Sequence, residues 1–134
     1  MQLLTKKKLE MSGTKIILDT NSLLFFLQGK LEIKVDISNI GISIITKIKY
    51  LVNPSLGLHD IHLFNKLEDS INIFYLSDKE EAIFKETIKI RKKYKLKLPD
   101  TIIAATAIIN NAILFSADDV FAKIFNLKFQ LVKI

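Results

Sequence analysis

Apolar runs of strand length alternate along this chain with segments of helical period, and that alternation limits the folds open to it more than any other property. Strand-like runs fall near residues 15–19, 40–44, 71–76, 112–115 and 128–133. The segments between them are long enough to hold crossover helices, as parallel strands require. Residues 21–28 read as a short helix stopped by Gly29, and 46–52 and 59–69 as two more around a turn at Pro54 and Gly57. From Glu81 to Tyr94 an apolar stripe runs through Ile83, Phe84, Thr87, Ile88, Ile90 and Tyr94, preceded by Ser77 and Glu80 in capping-box spacing. Pro99 fits a first helical turn, so a helix from about Asp100 to Asn110 follows; it is apolar nearly all round and hence buried. The order βα, βαα, βαα, βα, β predicts one α/β domain with a largely parallel sheet.

Bulk properties narrow the function classes. The chain has 134 residues, 49% of them hydrophobic, which is enough for a real core. Twenty Lys and Arg against 14 Asp and Glu give a net charge of +6, a balance that favours a polyanionic partner such as nucleic acid. Without cysteine there is no disulfide framework, thiolate zinc site or thiol nucleophile, which fits a cytoplasmic setting. The longest apolar stretch, Ile102 to Phe115, is broken by Asn110-Asn111 and falls short of the roughly 20 residues of a spanning helix. Residues 1–13 place Lys6-Lys7-Lys8 after Leu3-Leu4, the wrong order for a secretory signal; they read as a loose arm before a domain at 14–134, with Met11 as an alternative start. Only four glycines are present and no glycine-rich phosphate loop, which argues against a small-molecule phosphate binder.

Chemistry is signalled by acids in apolar surroundings. Asp19 closes Lys15-Ile16-Ile17-Leu18, Asp100 opens the apolar helix, and Asp118-Asp119 follows Ala112-Ile113-Leu114-Phe115. Each has a structural explanation: Asp19 or Thr20 as a helix cap, Asp100 as a dipole partner in a first turn, Asp118 or Asp119 as a cap near Val120. Their shared position at strand and helix ends also lets them meet at one crevice, where mutually repelling carboxylates would favour a cation. Oxygen ligands favour Mg²⁺ or Mn²⁺. Ala104 and Ala107, on the helical face of Asp100, are small enough to leave space for a ligand.

Ile16-Ile17-Leu18-Asp19-Thr20-Asn21 resembles the opening motif of PIN domains. Tyr94-Lys95-Leu96-Lys97-Leu98-Pro99-Asp100 with Ile103-Ala104-Ala105-Thr106-Ala107 is similar to their second motif, and Leu114-Phe115-Ser116-Ala117-Asp118 to their third. The resemblance spans residues 15–134 and is nearest to VapC-type toxins of toxin–antitoxin pairs. It implies a three-layer α/β/α fold, Mg²⁺- or Mn²⁺-dependent ribonuclease activity, and a homodimer silenced by an antitoxin. Carried onto this chain, it makes Asp19, Asp100 and Asp118 the catalytic and metal-binding residues, supported by Thr20, Asn21, Ser116 and Asp119.

One position departs from the family pattern. Ile42-Ser43-Ile44-Ile45-Thr46-Lys47-Ile48-Lys49-Tyr50-Leu51 resembles the segment that carries a catalytic glutamate, and Lys49 stands where that glutamate belongs. Lys47 also stands where an acid is frequent, and no acid lies between Asp36 and Asp60 to replace the missing one. Exchanging Glu for Lys changes the local charge by two units, each worth roughly 4 kcal/mol at 4 Å and an effective dielectric near 20. The expectation is a Lys49 ammonium paired with Asp19 and Asp100, against a lysine turned outward on a solvated helix face. The chain then reads either as an impaired ribonuclease or as a catalytically inactive PIN-like module that binds nucleic acid or a protein partner. Arg91, Lys92, Lys93, Lys95 and Lys97 run directly into Asp100 and would grip a phosphate backbone, unless they form only a solvated helix end. His59 and His62, without acids or cysteines around them, read as ordinary polar positions.

Overall fold

The computed structural model describes residues 13–77 and 80–133. The expected arm at 1–13 and the alternative start at Met11 lie outside the described residues, except for Gly13. Five strands, β1 (Ile16–Leu18), β2 (Ile40–Ser43), β3 (Asn72–Phe74), β4 (Ile113–Ser116) and β5 (Lys128–Leu131), form one sheet in the order β3-β2-β1-β4-β5. Every pairing is parallel, with Ile16 opposite both Ile40 and Ile113. Five helices connect them: α1 (Thr20–Leu27), α2 (Ile44–Leu51), α3 (Leu58–Glu68), α4 (Glu81–Lys93) and α5 (Leu98–Ile109).

Strand periodicity produces the layering. Side chains alternate across a strand, so Ile16 and Leu18 enter one apolar cluster while Ile17 enters the other, and Phe115 and Leu114 divide in the same way. The first cluster gathers Leu23 of α1, Tyr50 of α2 and Phe64 and Leu67 of α3. The second gathers Ile83 and Ile90 of α4 and Ile103, Ala104, Ala105 and Ala107 of α5. The result is an α/β/α sandwich. Each fully buried Ile, Leu or Phe contributes on the order of 1.5–3 kcal/mol by leaving water.

Two glycines have identifiable roles. Gly29 has φ +74° just beyond α1, the left-handed turn that ends the helix as expected. Gly41, inside β2, has no room for a side chain: a Cβ there would lie 2.6 Å from Phe74 Cε2 and 3.2 Å from the Asn72 carbonyl oxygen.

Two expectations need correction. The capping box at Ser77 and Glu80 is not formed: α4 begins at Glu81 with Glu80 as its cap and no side-chain capping bond, and the Glu80 N–H donates to the Ser77 carbonyl at 2.8 Å. Ala104 and Ala107 leave no ligand space, because both are fully buried in the core. Their small size lets α5 pack closely on the sheet.

Candidate active-site crevice

The connection from β1 runs to β2 on one side of the sheet and that from β4 to β5 on the other, so the carboxyl ends of β1 and β4 form the switch point of this parallel sheet. Asp19 immediately follows β1 and is only 8% exposed. It is the N-cap of α1: one carboxylate oxygen accepts the Ser22 N–H at 2.9 Å, and the other accepts the Ser116 hydroxyl at the end of β4. Ser22, fully buried, donates its own hydroxyl to the Phe115 carbonyl at 2.8 Å. These bonds tie α1 to the ends of both central strands.

Ser116 links the crevice onward, since its hydroxyl oxygen accepts the Asp118 N–H at 2.9 Å. Asp118 is exposed and caps the short 3-10 helix Asp119–Lys123, its Oδ1 accepting the Val120 N–H at 3.0 Å. Asn21, Ala117, Asp118, Asp119 and Leu131 line an open depression beside it. The capping explanations for Asp19 and Asp118 therefore hold, and they hold at the same switch point.

Asp100 sits half-buried in the first turn of α5, behind Pro99. Burial pushes its carboxyl above the usual carboxylate range; Lys49 opposes that, Asp118 and Asp19 add to it, and Lys97 opposes it more weakly. The three aspartates thus share one electrostatic neighbourhood, and Lys49 is the cation acting most strongly on Asp100. The expected direct pairing is not formed. Lys49 is exposed in the last turn of α2, and no ion pair to it within 4.0 Å occurs among the described residues.

Lys47 does find a partner, in Glu68 of α3, which holds its ammonium above the ordinary lysine range. One helical turn before Lys49, the buried Thr46 hydroxyl has no hydrogen-bond partner, and the Thr20 hydroxyl beside Asp19 has none either. Sequence reading missed Ser22 and Thr46. The only signal for either was a small hydroxyl residue within an apolar helix.

A divalent cation needs several carboxylates converging with open lone pairs. Among the described residues no group of three or more His, Asp or Glu side chains is arranged to hold one. Both Asp19 oxygens already accept hydrogen bonds, and one Asp118 oxygen is spent on a cap. As they stand, the described side chains are not gathered into a metal centre. His59 and His62 lie on the exposed side of α3, outside any such group.

The basic run is divided in its tasks. Arg91 donates to the Leu96 carbonyl and Lys93 sits over the Tyr94 ring at 5.4 Å, while the Tyr94 hydroxyl accepts the Phe125 N–H at 3.2 Å. These contacts order the turn that carries Leu96 into the core and leads to Asp100. Lys92, Lys95 and Lys97 are exposed.

No curated protein matches the chain. Among solved structures it is similar to a toxin–antitoxin complex from Klebsiella pneumoniae, at 28% identity and TM-score 0.68 over 84% of this chain and 95% of that one. It also resembles VapBC2 from Rickettsia felis bound to a fragment of its promoter DNA, at 20% identity and TM-score 0.69 over 90% and 100%. VapBC-5 from Mycobacterium tuberculosis matches at 14% identity and TM-score 0.65 over 90% and 99%. The last two likenesses bear on the fold alone. The model of the PIN domain matches residues 16–126, most of the chain and all three acidic segments. On that match, which spans the crevice as well as both helical layers, the protein belongs to the PIN domain family.

Proposed function

We propose that this protein is a VapC-type toxin that acts on RNA phosphodiester bonds at the Asp19, Asp100 and Asp118 crevice, with cleavage impaired by Lys49. The nuclease-family role follows from the PIN domain; the RNA substrate, the Mg²⁺ or Mn²⁺ requirement and the weakened turnover belong to this proposal. What supports it is that aspartates from sequence segments far apart lie near enough for Asp118 and Asp19 to raise the Asp100 carboxyl, at the carboxyl ends of the strands of a parallel sheet. Lys92, Lys95 and Lys97, with Arg91 and Lys93 in the same turn, would hold the phosphate backbone next to Asp100, in keeping with the net charge of +6.

An antitoxin would be the protein partner in a cytoplasmic pair. Exposed Ile48, Leu51 and Val52 near the end of α2, and exposed Leu58 at the start of α3, support a protein contact. A homodimer is part of the same proposal.

Cleavage of a structured RNA with Mn²⁺ tests this reading. Weak cleavage by the unaltered protein is expected, lost in Asp100→Asn and raised roughly tenfold or more in Lys49→Glu. A second reading, a module that binds RNA or its partner without cutting, is favoured by the misfit of the crevice to a metal ion. RNA binding without cleavage by either the unaltered protein or Lys49→Glu would establish it.

A further inference from the structure

We infer that the groove between α4 and the turn at Phe125-Asn126 is a stacking subsite for an unpaired base of single-stranded RNA, with Phe125 as the platform and Lys89 and Lys93 holding the flanking phosphates. The inference rests on the proposed reading of RNA as the substrate and adds where, outside the acidic crevice, a strand is gripped. Among the described residues Phe125 is the most exposed large apolar side chain, at 93%. It forms one side of an open groove of about 200 Å³, and Lys89, Lys93 and the half-buried Tyr94 form the other. That is below the roughly 300–1,000 Å³ of a drug-sized ligand site and suits one flat group entering from solvent.

The backbone holds the Phe125 ring outward. Ile124 and Leu127 are both buried, and the Leu127 N–H donates to the Ile124 carbonyl at 3.3 Å, so Phe125 and Asn126 are the two central residues of a tight turn. Such positions are usually filled by Gly, Pro, Asn, Asp or Ser; Asn126 follows that preference and Phe125 does not. The turn is also tied to α4, because the Phe125 N–H donates to the Tyr94 hydroxyl at 3.2 Å. With its backbone pinned at both ends, the ring is presented to solvent on a fixed support, as a stacking platform requires.

Charge selects the occupant. Lys89 and Lys93 lie one helical turn apart, both are exposed, and neither has a carboxylate within ion-pair distance among the described residues. Lys93 sits over the Tyr94 ring, a contact that leaves its N–H donors available. Glu86 is the one acid lining the groove, so two cations face one anion there, and exposed Lys92 lies beside them. A protein partner would need a wider apolar patch than a single exposed ring, whereas a base between an aromatic face and two cations meets the recurring needs of single-strand binding. The position is also in reach of the crevice. Asp118 caps the start of the 3-10 helix Asp119–Lys123 and Phe125 follows its end; at roughly 2 Å of rise per residue, that helix spans about 10 Å, a gap that a strand of a few nucleotides crosses.

Fluorescence anisotropy of the full chain with a labelled single-stranded oligoadenylate, in EDTA so that nothing is cut, tests the inference. Phe125→Ala should weaken binding roughly tenfold, and Phe125→Tyr, which keeps the aromatic face, should bind as the unaltered protein does. A duplex RNA of the same length has no free base to offer, so its affinity should not change in Phe125→Ala. The salt dependence separates the two roles: Phe125→Ala should leave its slope unchanged, while Lys93→Gln should lower it by about 0.7. Equal single-strand affinity in Phe125→Ala and the unaltered protein would overturn the inference, and so would an equal loss on the duplex. If Phe125→Ala fails to weaken binding while Lys95→Gln or Lys97→Gln does, the subsite falls and the RNA reading stands; no binding of either RNA by the unaltered protein would remove both. Because the ring is exposed, Phe125→Ala should melt at the unaltered temperature, and a lower melting temperature would show a packing role and count against the subsite. Light scattering reads the remaining occupant: a dimer that Phe125→Ala converts to a monomer, with RNA affinity unchanged, would make this face a contact between copies and overturn the inference.

Discussion

The two walls of the crevice are built on opposite terms. On the β1 and β4 wall, Asp19 is buried and held on both oxygens, and Ser22 and Ser116 are buried with it. On the α2 wall, Lys49 is exposed, forms no ion pair among the described residues, and opposes the upward shift of the Asp100 carboxyl. The first wall is part of the folding machinery and the second is not. A buried polar group left unpaired costs about 1–3 kcal/mol, whereas an exposed charge seldom contributes more than about 1 kcal/mol. Substitutions on the two walls should therefore separate into effects on stability and effects on charge.

The largest stability effect is expected at Asp19. Asp19→Ala removes the α1 cap, worth about 1 kcal/mol, and takes the acceptor from the buried Ser116 hydroxyl, whose oxygen keeps the Asp118 N–H, for a combined loss of about 2–3 kcal/mol in chemical denaturation. Ser116→Ala should cost less, about 1–2 kcal/mol, since the Asp19 cap on Ser22 survives. A Ser116→Ala protein as stable as the unaltered one would mean that the two strand ends are not joined through this bond. Lys49→Met should change stability by no more than about 0.5 kcal/mol. A loss on the Asp19 scale would show that Lys49 belongs to the folding wall and would remove the contrast.

The same contrast explains what could be read from the sequence. All five strands and five of the six expected helices fall where the sequence places them, to within a few residues at their ends, while the sixth, after β4, is the short 3-10 helix Asp119–Lys123. Buried parallel strands and an amphipathic α4 are dictated by side-chain spacing alone. The acidic positions Asp19, Asp100 and Asp118 were legible because charge in an apolar run is conspicuous. Ser22 and Thr46 were not, because a hydroxyl within a helix carries the same signal whether it bonds a distant carbonyl, as Ser22 does, or has no partner, as Thr46. The ligand space expected above Ala104 and Ala107 failed for a related reason: small residues mark close packing as readily as an opening. The outward placement of Lys49 depends on a long, flexible side chain, and sequence spacing fixes only where its helix puts the Cα.

Asp100 stands between the two walls, and there the expected effect is smallest but its sign is informative. Burial raises its carboxyl above the usual range, so the fold disfavours the ionised form. Above the raised pKa that penalty is fully present; as pH falls through it toward the ordinary carboxylate value, the native state takes up a proton and the penalty disappears. Asp100→Asn carries no charge at any pH, so it should melt higher than the unaltered protein at pH 7, with the gap closing in acid. The gain should be about 1–3 °C, because Asp100 is only half-buried and solvent screens much of the interaction. Removing Lys49 withdraws the cation that opposes the shift, so the gain from Asp100→Asn should be larger in a Lys49→Met background. Melting curves of the four proteins from pH 3 to pH 8 measure both quantities. If the gain in the Lys49→Met background equalled that in the unaltered one, the ammonium would not act on the carboxylates, and the α2 wall would be electrostatically silent.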